Sequence, residues 1–134
     1  MKTLGIGIDI IEINRFKKTL KNKKKSILKR FFTKKEILIC SKKNLNINCF
    51  TKRFAAKEAF VKALGIGFRK NINFKDIEIK NDMYGKPYFN INLKLKNKMS
   101  KILHTKRFKV FLSISDEKNY AIANVLISKI WKKI

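Results

Sequence analysis

Hydrophobic and polar residues alternate at the start of the chain. In LGIGIDI, Leu4, Ile6, Ile8 and Ile10 fall on one face and Gly5, Gly7 and Asp9 on the other, a period of two that predicts a strand. Two glycines beside a carboxylate leave the Asp9 face without side-chain bulk, so backbone or a ligand can approach it closely. The period then changes. In IIEINRFKKTLKNKKK, Ile13, Phe16 and Leu20 recur at helical spacing, with Asn14, Lys18, Lys21 and Lys25 on another face. A helix with a basic outer side is expected, followed by a lysine-rich loop from Asn22 to Arg30.

Further along, Thr33 followed by Glu36 in FFTKKEILIC has the form of a capping box opening a short helix. Thr51 is the expected N-cap of a longer helix through Leu64, and Gly65 its natural stop. On that helix Ala56, Phe60, Ala63 and Leu64 form an apolar face, while Ala55 and Ala59 permit close approach of another element. Phe54, Glu58 and Lys62 lie along one line at i, i+4 and i+8. Glu58 before Lys62 is the favourable order for an ion pair, worth only about 0.3 to 0.5 kcal/mol.

The stretch FKDIEIKNDMYGKPYFNINLKL reads as a hairpin, entered by Phe74, Ile77 and Ile79, turned from Asn81 to Gly85, and returning through Phe89, Ile91, Leu93 and Leu95. A short helical segment near Asn97 to Leu103 follows, then two strand-like runs around Asp116 to Asn119. Strands and helices partly segregated in this way predict an α+β fold, an antiparallel sheet packed with a long helix. The 134 residues fit one domain, 1–134.

Composition changes the picture in one respect. With 34 Lys plus Arg against 9 Asp plus Glu, the formal net charge is +25, which raises the alternative of a small basic nucleic-acid-binding protein. Most of the excess is lysine, accompanied by abundant Ile, Asn and Phe, residues that share A/T-rich codons. The total charge therefore says less than its placement, and no stacking-aromatic or helix-turn-helix signature accompanies it. Asp9 and Glu12 interrupt the apolar N-terminus before it could form a signal-peptide core, and no run reaches the roughly 18 apolar residues of a membrane helix. A soluble, cytoplasmic protein without a membrane partner is expected. Cys40 and Cys49 are too few and too widely separated for a disulfide framework or a zinc site, and both are expected as reduced thiols.

Asp9 and Glu58 stand where a ligand could come near, in a chain that uses acids sparingly. Two carboxylates from separate elements make a minimal hard-cation site, since Mg²⁺ commonly takes one or two of them and completes its octahedron with water and phosphate oxygens. Lys57 and Lys62 would then neighbour the phosphates. Spacing alone leaves two readings of Glu58 open, ion-pair partner or metal ligand.

GIGIDIIEINRF, FFTKKE, RFAAKEAFVKALGIG, FKDIEIKNDMYGKPYF and FLSISDEKNYAIANV, in this order from about Leu4 to Ile127, closely resemble holo-acyl-carrier-protein synthase, the small bacterial 4′-phosphopantetheinyl transferase family. The resemblance implies a trimer-forming 4′-phosphopantetheinyl transferase fold. It also implies an enzyme that moves the phosphopantetheine arm of coenzyme A onto a serine of apo acyl carrier protein, releasing adenosine 3′,5′-bisphosphate, in support of fatty acid biosynthesis. By the family pattern Asp9 and Glu58 are catalytic and bind Mg²⁺, while Lys62, Gly65, Gly67 and Arg53 contact coenzyme A. Arg15, with Lys18 and Lys21 nearby, meets the acidic carrier protein, and active sites lie between subunits of a homotrimer. The serine proton would pass to a metal-bound water or to Glu58 acting through it. No specific nucleic acid is implied. This chain departs from the family in having Ile66 within Gly65-Ile66-Gly67, where threonine is usual, Asp116 where many members carry histidine, and the added C-terminal WKKI.

Overall fold

Two glycines set how the first strand meets the rest of the chain. The computed structural model describes residues 1–66 and 71–131. It opens with β1 (Lys2–Glu12), followed by helices α1 (Ile13–Phe31), α2 (Lys34–Cys40) and α3 (Ile47–Leu64). A Cβ on Gly5 would lie 1.9 Å from the Ala63 carbonyl oxygen, and one on Gly7 would lie 1.9 Å from that of Ala59. Strand backbone therefore rests directly on helix backbone. The approach that the bare face of β1 allows is made by α3, with Ala59 and Ala63 supplying the small residues opposite.

A short 3₁₀ turn at Phe74–Asp76 leads into β2 (Glu78–Asn81) and β3 (Pro87–Asn90), then α4 (Leu93–Leu103), β4 (Phe108–Asp116) and β5 (Tyr120–Lys129). The strands form an antiparallel three-stranded sheet, order β1-β5-β4, and a separate two-stranded β2-β3 sheet. The expected α+β architecture is present. Helix α3 packs on the inner face of the larger sheet against Ala123, Val125 and Ile127, all fully buried. Its own Phe50, Ala55, Ala56, Ala59, Phe60 and Val61 are buried too, so it is the central element of the core rather than a one-faced surface helix.

The outer face of the sheet carries an apolar patch along β1 that no described residue covers. Ile6, Ile8 and Ile10 are 64%, 54% and 62% exposed. Ile6 stands opposite Leu126, Ile10 opposite Ile122, and Phe111 of β4 opposite Leu126 on the other side. Leu4 leaves this row, because a register shift between Thr3 and Gly5 breaks the alternation and lets it pack against the core.

Several boundaries differ from the sequence expectation. The stretch Asn22 to Arg30 is helical rather than a loop; α1 continues to Phe31 across a kink at Lys23, because Leu28 and Phe32 join Phe16 and Leu20 in a second apolar cluster. Helix α3 begins at Ile47 under an Asn46 cap whose Oδ1 accepts the Cys49 N–H. Thr51 sits inside the helix and its hydroxyl donates to the Ile47 carbonyl. Leu93 and Leu95 belong to α4, not to the hairpin, since Asn92 caps a helix that buries Leu95 and Met99 on one side. The Thr33–Glu36 capping box forms as expected.

Cys40 and Cys49 are joined in a disulfide, correcting the expectation of two thiols. The loop of residues 41–46 turns the chain back so that the two Cα atoms lie 5.5 Å apart, against the Phe32 and Phe50 cluster. Lys57 is also relocated: it is fully buried and its ammonium donates to Glu36 (2.6 Å) and to the carbonyls of Phe31 (2.8 Å) and Phe74 (3.0 Å). Glu36 in turn accepts the N–H groups of Thr33 and Ile79. Every ammonium proton of Lys57 has an acceptor, which is what makes a buried ion pair tolerable, and the pair ties α1, α2, α3 and β2 together.

Gly7→Ala is expected to lower stability by roughly 1 to 3 kcal/mol or more, because backbone rather than a flexible side chain blocks the new methyl. Urea denaturation checks it. An unchanged midpoint would mean that β1 is not seated on α3.

Candidate active site

Asp9 follows Gly5 and Gly7 on the same face of β1, so the contact that seats the strand also brings Asp9 to the side of α3 bearing Glu58 and Lys62. Asp9 and Glu58 line one open cavity of about 420 Å³ with Glu12, Arg15, Phe16, Phe31 and Phe54. The two sequence candidates for a cation site therefore meet. Lys62 pairs with Asp9 rather than with Glu58: its Nζ lies 3.0 Å from Asp9 Oδ1 and donates to the Ile8 carbonyl at 3.1 Å. The Lys62 side chain is 55% exposed, and a pair this open contributes about 0 to 1 kcal/mol. Other charges can displace it at little cost.

Burial pushes the Glu58 carboxyl above its ordinary range, and the negative charge of Asp9 pushes it further, with Lys62 acting in the opposite direction. A carboxylate whose charge is disfavoured by burial and by a second carboxylate beside it is an arrangement that a hard dication would relieve. No cluster of three or more such ligands occurs among the described residues, so a cation here would draw its remaining ligands from water or substrate oxygens, as suits Mg²⁺.

The cavity has a second character that the sequence reading missed. Phe54 stacks on Phe74 with ring centres 5.2 Å apart and meets Phe31 and Phe16 at 5.4 Å each. An aromatic wall thus faces the acidic end. Its one signal in the sequence is Phe54, a helical turn before Glu58; Phe31 lay beyond the expected end of α1.

Other candidates fall elsewhere. Arg15 lines the cavity, while Lys18 and Lys21 are exposed along α1. Gly65 ends α3 in the left-handed conformation, φ 74°, which favours glycine. Gly67 lies outside the described residues. Arg53 does not reach the cavity; it is 6% exposed, and its guanidinium donates to Asn81 Oδ1 at 2.8 Å and to Cys49 Sγ at 3.2 Å. It faces the hairpin and α2 side of the helix because a position five residues before Glu58 points away from Asp9. Asp116 sits 3.9 Å from Lys52.

Residues 5–125 match the 4'-phosphopantetheinyl transferase superfamily. The chain belongs to that family. A holo-[acyl-carrier-protein] synthase of Pelagibacter ubique is 50% identical over 129 residues, covering 96% of this chain and 99% of that protein. The crystal structure of the holo-[acyl-carrier-protein] synthase of Neisseria meningitidis superposes with a TM-score of 0.85 at 35% identity, over 95% of this chain and 99% of that one. That of Bacillus anthracis, in complex with CoA (3',5'-ADP), gives 0.78 at 34% identity, over 97% and 100%. Family membership and the phosphopantetheinyl transferase fold agree with the resemblance carried by the sequence motifs. Among the described residues no helix is long and apolar enough to cross a membrane.

The raised Glu58 carboxyl has a sign that can be checked. Between the ordinary glutamate value and the raised one the folded chain holds a proton that the unfolded chain has lost, so stability falls as pH rises through that window. Metal-free Glu58→Gln should therefore melt slightly above the parent chain at neutral pH, the gap closing as pH falls below the ordinary carboxylate range. A lower melting temperature at neutral pH would restore Glu58 to the role of a stabilising ion-pair partner.

Proposed function

We propose that this chain is a Mg²⁺-dependent holo-acyl-carrier-protein synthase, transferring the 4′-phosphopantetheine moiety of coenzyme A to a serine of apo acyl carrier protein and releasing adenosine 3′,5′-bisphosphate. The observation that carries the reading is the convergence of Asp9 and Glu58 in one cavity with Lys62 beside them. Asp9 and Glu58 would hold the cation, whose chemistry here is to stabilise charge on the phosphoryl oxygens of the pyrophosphate.

The chain's own groups account for the other requirements. Lys62, freed from Asp9, supplies a point charge for a phosphate, and the αL turn at Gly65 leaves the end of α3 open to it. Attack on the β-phosphorus requires the serine hydroxyl to lose its proton. With Glu58 engaged by the cation, that proton would leave by way of water, with Glu58 acting through it as one acceptor. The aromatic wall of Phe16, Phe31 and Phe54 lines this end of the cleft and would present an apolar surface to the substrate.

Arg15 at the mouth, with Lys18 and Lys21 outside it, suits an acidic carrier protein, which such charges steer and orient. The apolar outer face of Ile6, Ile8, Ile10, Ile122 and Leu126 supports assembly as a homotrimer, because an uncovered sheet face of this kind is a surface that association buries. A cytoplasmic place in fatty acid biosynthesis fits the same reading.

Apo acyl carrier protein incubated with this chain, coenzyme A and Mg²⁺ should gain the mass of one phosphopantetheinyl group, and should gain nothing with excess chelator or with Asp9→Asn. Native mass spectrometry of the enzyme should show three chains. Charge reversal at Arg15 and Lys18 should raise KM for carrier protein more than KM for coenzyme A. No gain from a folded, metal-replete sample across several carrier proteins would reject the function; a monomer or equal KM effects would reject the assembly or the docking role.

A further inference from the structure

The disulfide pair is not part of the Asp9–Glu58 cavity, and its surroundings are asymmetric. Cys40, the last residue of α2, is 1% exposed. Cys49 is partly exposed and lies in the first turn of α3, where its own N–H is capped by Asn46 Oδ1 at 3.0 Å. One turn further on, Arg53 donates through Nη1 to Cys49 Sγ at 3.2 Å.

Arg53 is in an unusual position for a guanidinium. It is 94% shielded by the protein, yet no carboxylate lies within ion-pair distance of it among the described residues, and its Nε has no hydrogen-bond partner. Its other contact is the neutral amide of Asn81 on β2, which fixes the guanidinium against the sulfur. The charged neighbours from the packed elements are Glu36 of α2, which acts on Arg53 at longer range, and Lys57, which Glu36 already neutralises. A buried cation without an anion is costly. A disulfide sulfur is a weak neutral acceptor, whereas a Cys49 thiolate in the same place would be a full anion, stabilised both by Arg53 and by the amino end of α3.

We propose that Cys49 is a redox-reactive thiol and Cys40 its resolving partner, together forming a thiol–disulfide couple that accepts small-molecule disulfides as oxidant. Cys49 thiolate attacks one sulfur of an R–S–S–R molecule, the S–S bond breaks, and R–S⁻ leaves with the electron pair and takes a proton from solvent. Cys40 then gives up its proton and attacks Cys49 Sγ, expelling the second R–S⁻. Two protein thiols are oxidised to the Cys40–Cys49 disulfide and one R–S–S–R is reduced to two R–SH. Cys49, the partly exposed residue of the two, meets the oxidant and buried Cys40 completes the bond, an order the burial of Cys40 dictates.

The test uses the reduced full-length chain with oxidised glutathione and, separately, with limiting iodoacetamide, followed by peptide mapping. Alkylation should fall on Cys49 before Cys40 and should persist at mildly acidic pH, where an ordinary thiol is almost wholly protonated. Arg53→Lys and Arg53→Gln should each slow alkylation of Cys49, the glutamine variant about tenfold, which corresponds to a loss of ~1.4 kcal/mol of thiolate stabilisation. With oxidised glutathione, Cys40→Ser should retain a mixed disulfide on Cys49, while the parent chain should pass on to the internal disulfide. The alkylation profile of the parent chain needs no substitution, so a variant that fails to fold leaves the test intact. Cys49 reactivity that follows the pH dependence of a free thiol, or a parent chain that stays reduced in oxidised glutathione, would overturn the proposal.

Discussion

The contact of β1 with α3 is the constraint on which the site depends. A strand normally stands off a helix by the depth of its side chains; here Gly5 and Gly7 have none, and the carbonyls of Ala63 and Ala59 occupy the space where Cβ atoms would be. This close seating carries Asp9 into the same cavity as Glu58 and puts Lys62 within reach of Asp9. The apolar residues that would ordinarily anchor such a strand, Ile6, Ile8 and Ile10, are turned outward instead. The strand thus uses its bare face for geometry and leaves its apolar face exposed.

Around that contact the chain separates two kinds of lysine. Lys57 is locked into a buried pair with Glu36 and donates to two backbone carbonyls as well, a structural use of charge. Lys62, five residues on, is half exposed and loosely held by Asp9, which leaves it available to a phosphate. The same helix carries both because positions five apart face different sides of it. Arg53 repeats the contrast, buried beside a cysteine.

The sequence made some of this legible and hid the rest for physical reasons. The period-two alternation of β1, which holds from Gly5 onward, the Thr33–Glu36 capping box and the Gly65 stop are local signals that were realised. The motif resemblance identified the family, and Asp9 and Glu58 were found together. Spacing alone could not say that Lys62 would turn to Asp9, because i+4 geometry favours Glu58 equally and only the tertiary seating of β1 decides. Nor could it show that Lys57 is internal, since a lysine in a chain of net charge +25 reads as surface. The Cys40–Cys49 bond was missed because sequence separation carries no information on how the loop of residues 41–46 folds back. The start of α4 was misplaced because the run Phe89, Ile91, Leu93, Leu95 also satisfies a strand period, and the Asn92 cap was overlooked.

The seating of β1 on α3 places Asp9 and Glu58 where together they would hold one cation. The most direct measurement is Mn²⁺ binding followed by electron paramagnetic resonance in the presence of coenzyme A. One Mn²⁺ per Asp9–Glu58 pair is expected, displaced by Mg²⁺ and lost in both Asp9→Asn and Glu58→Gln. Binding that survives either substitution unchanged would contradict it.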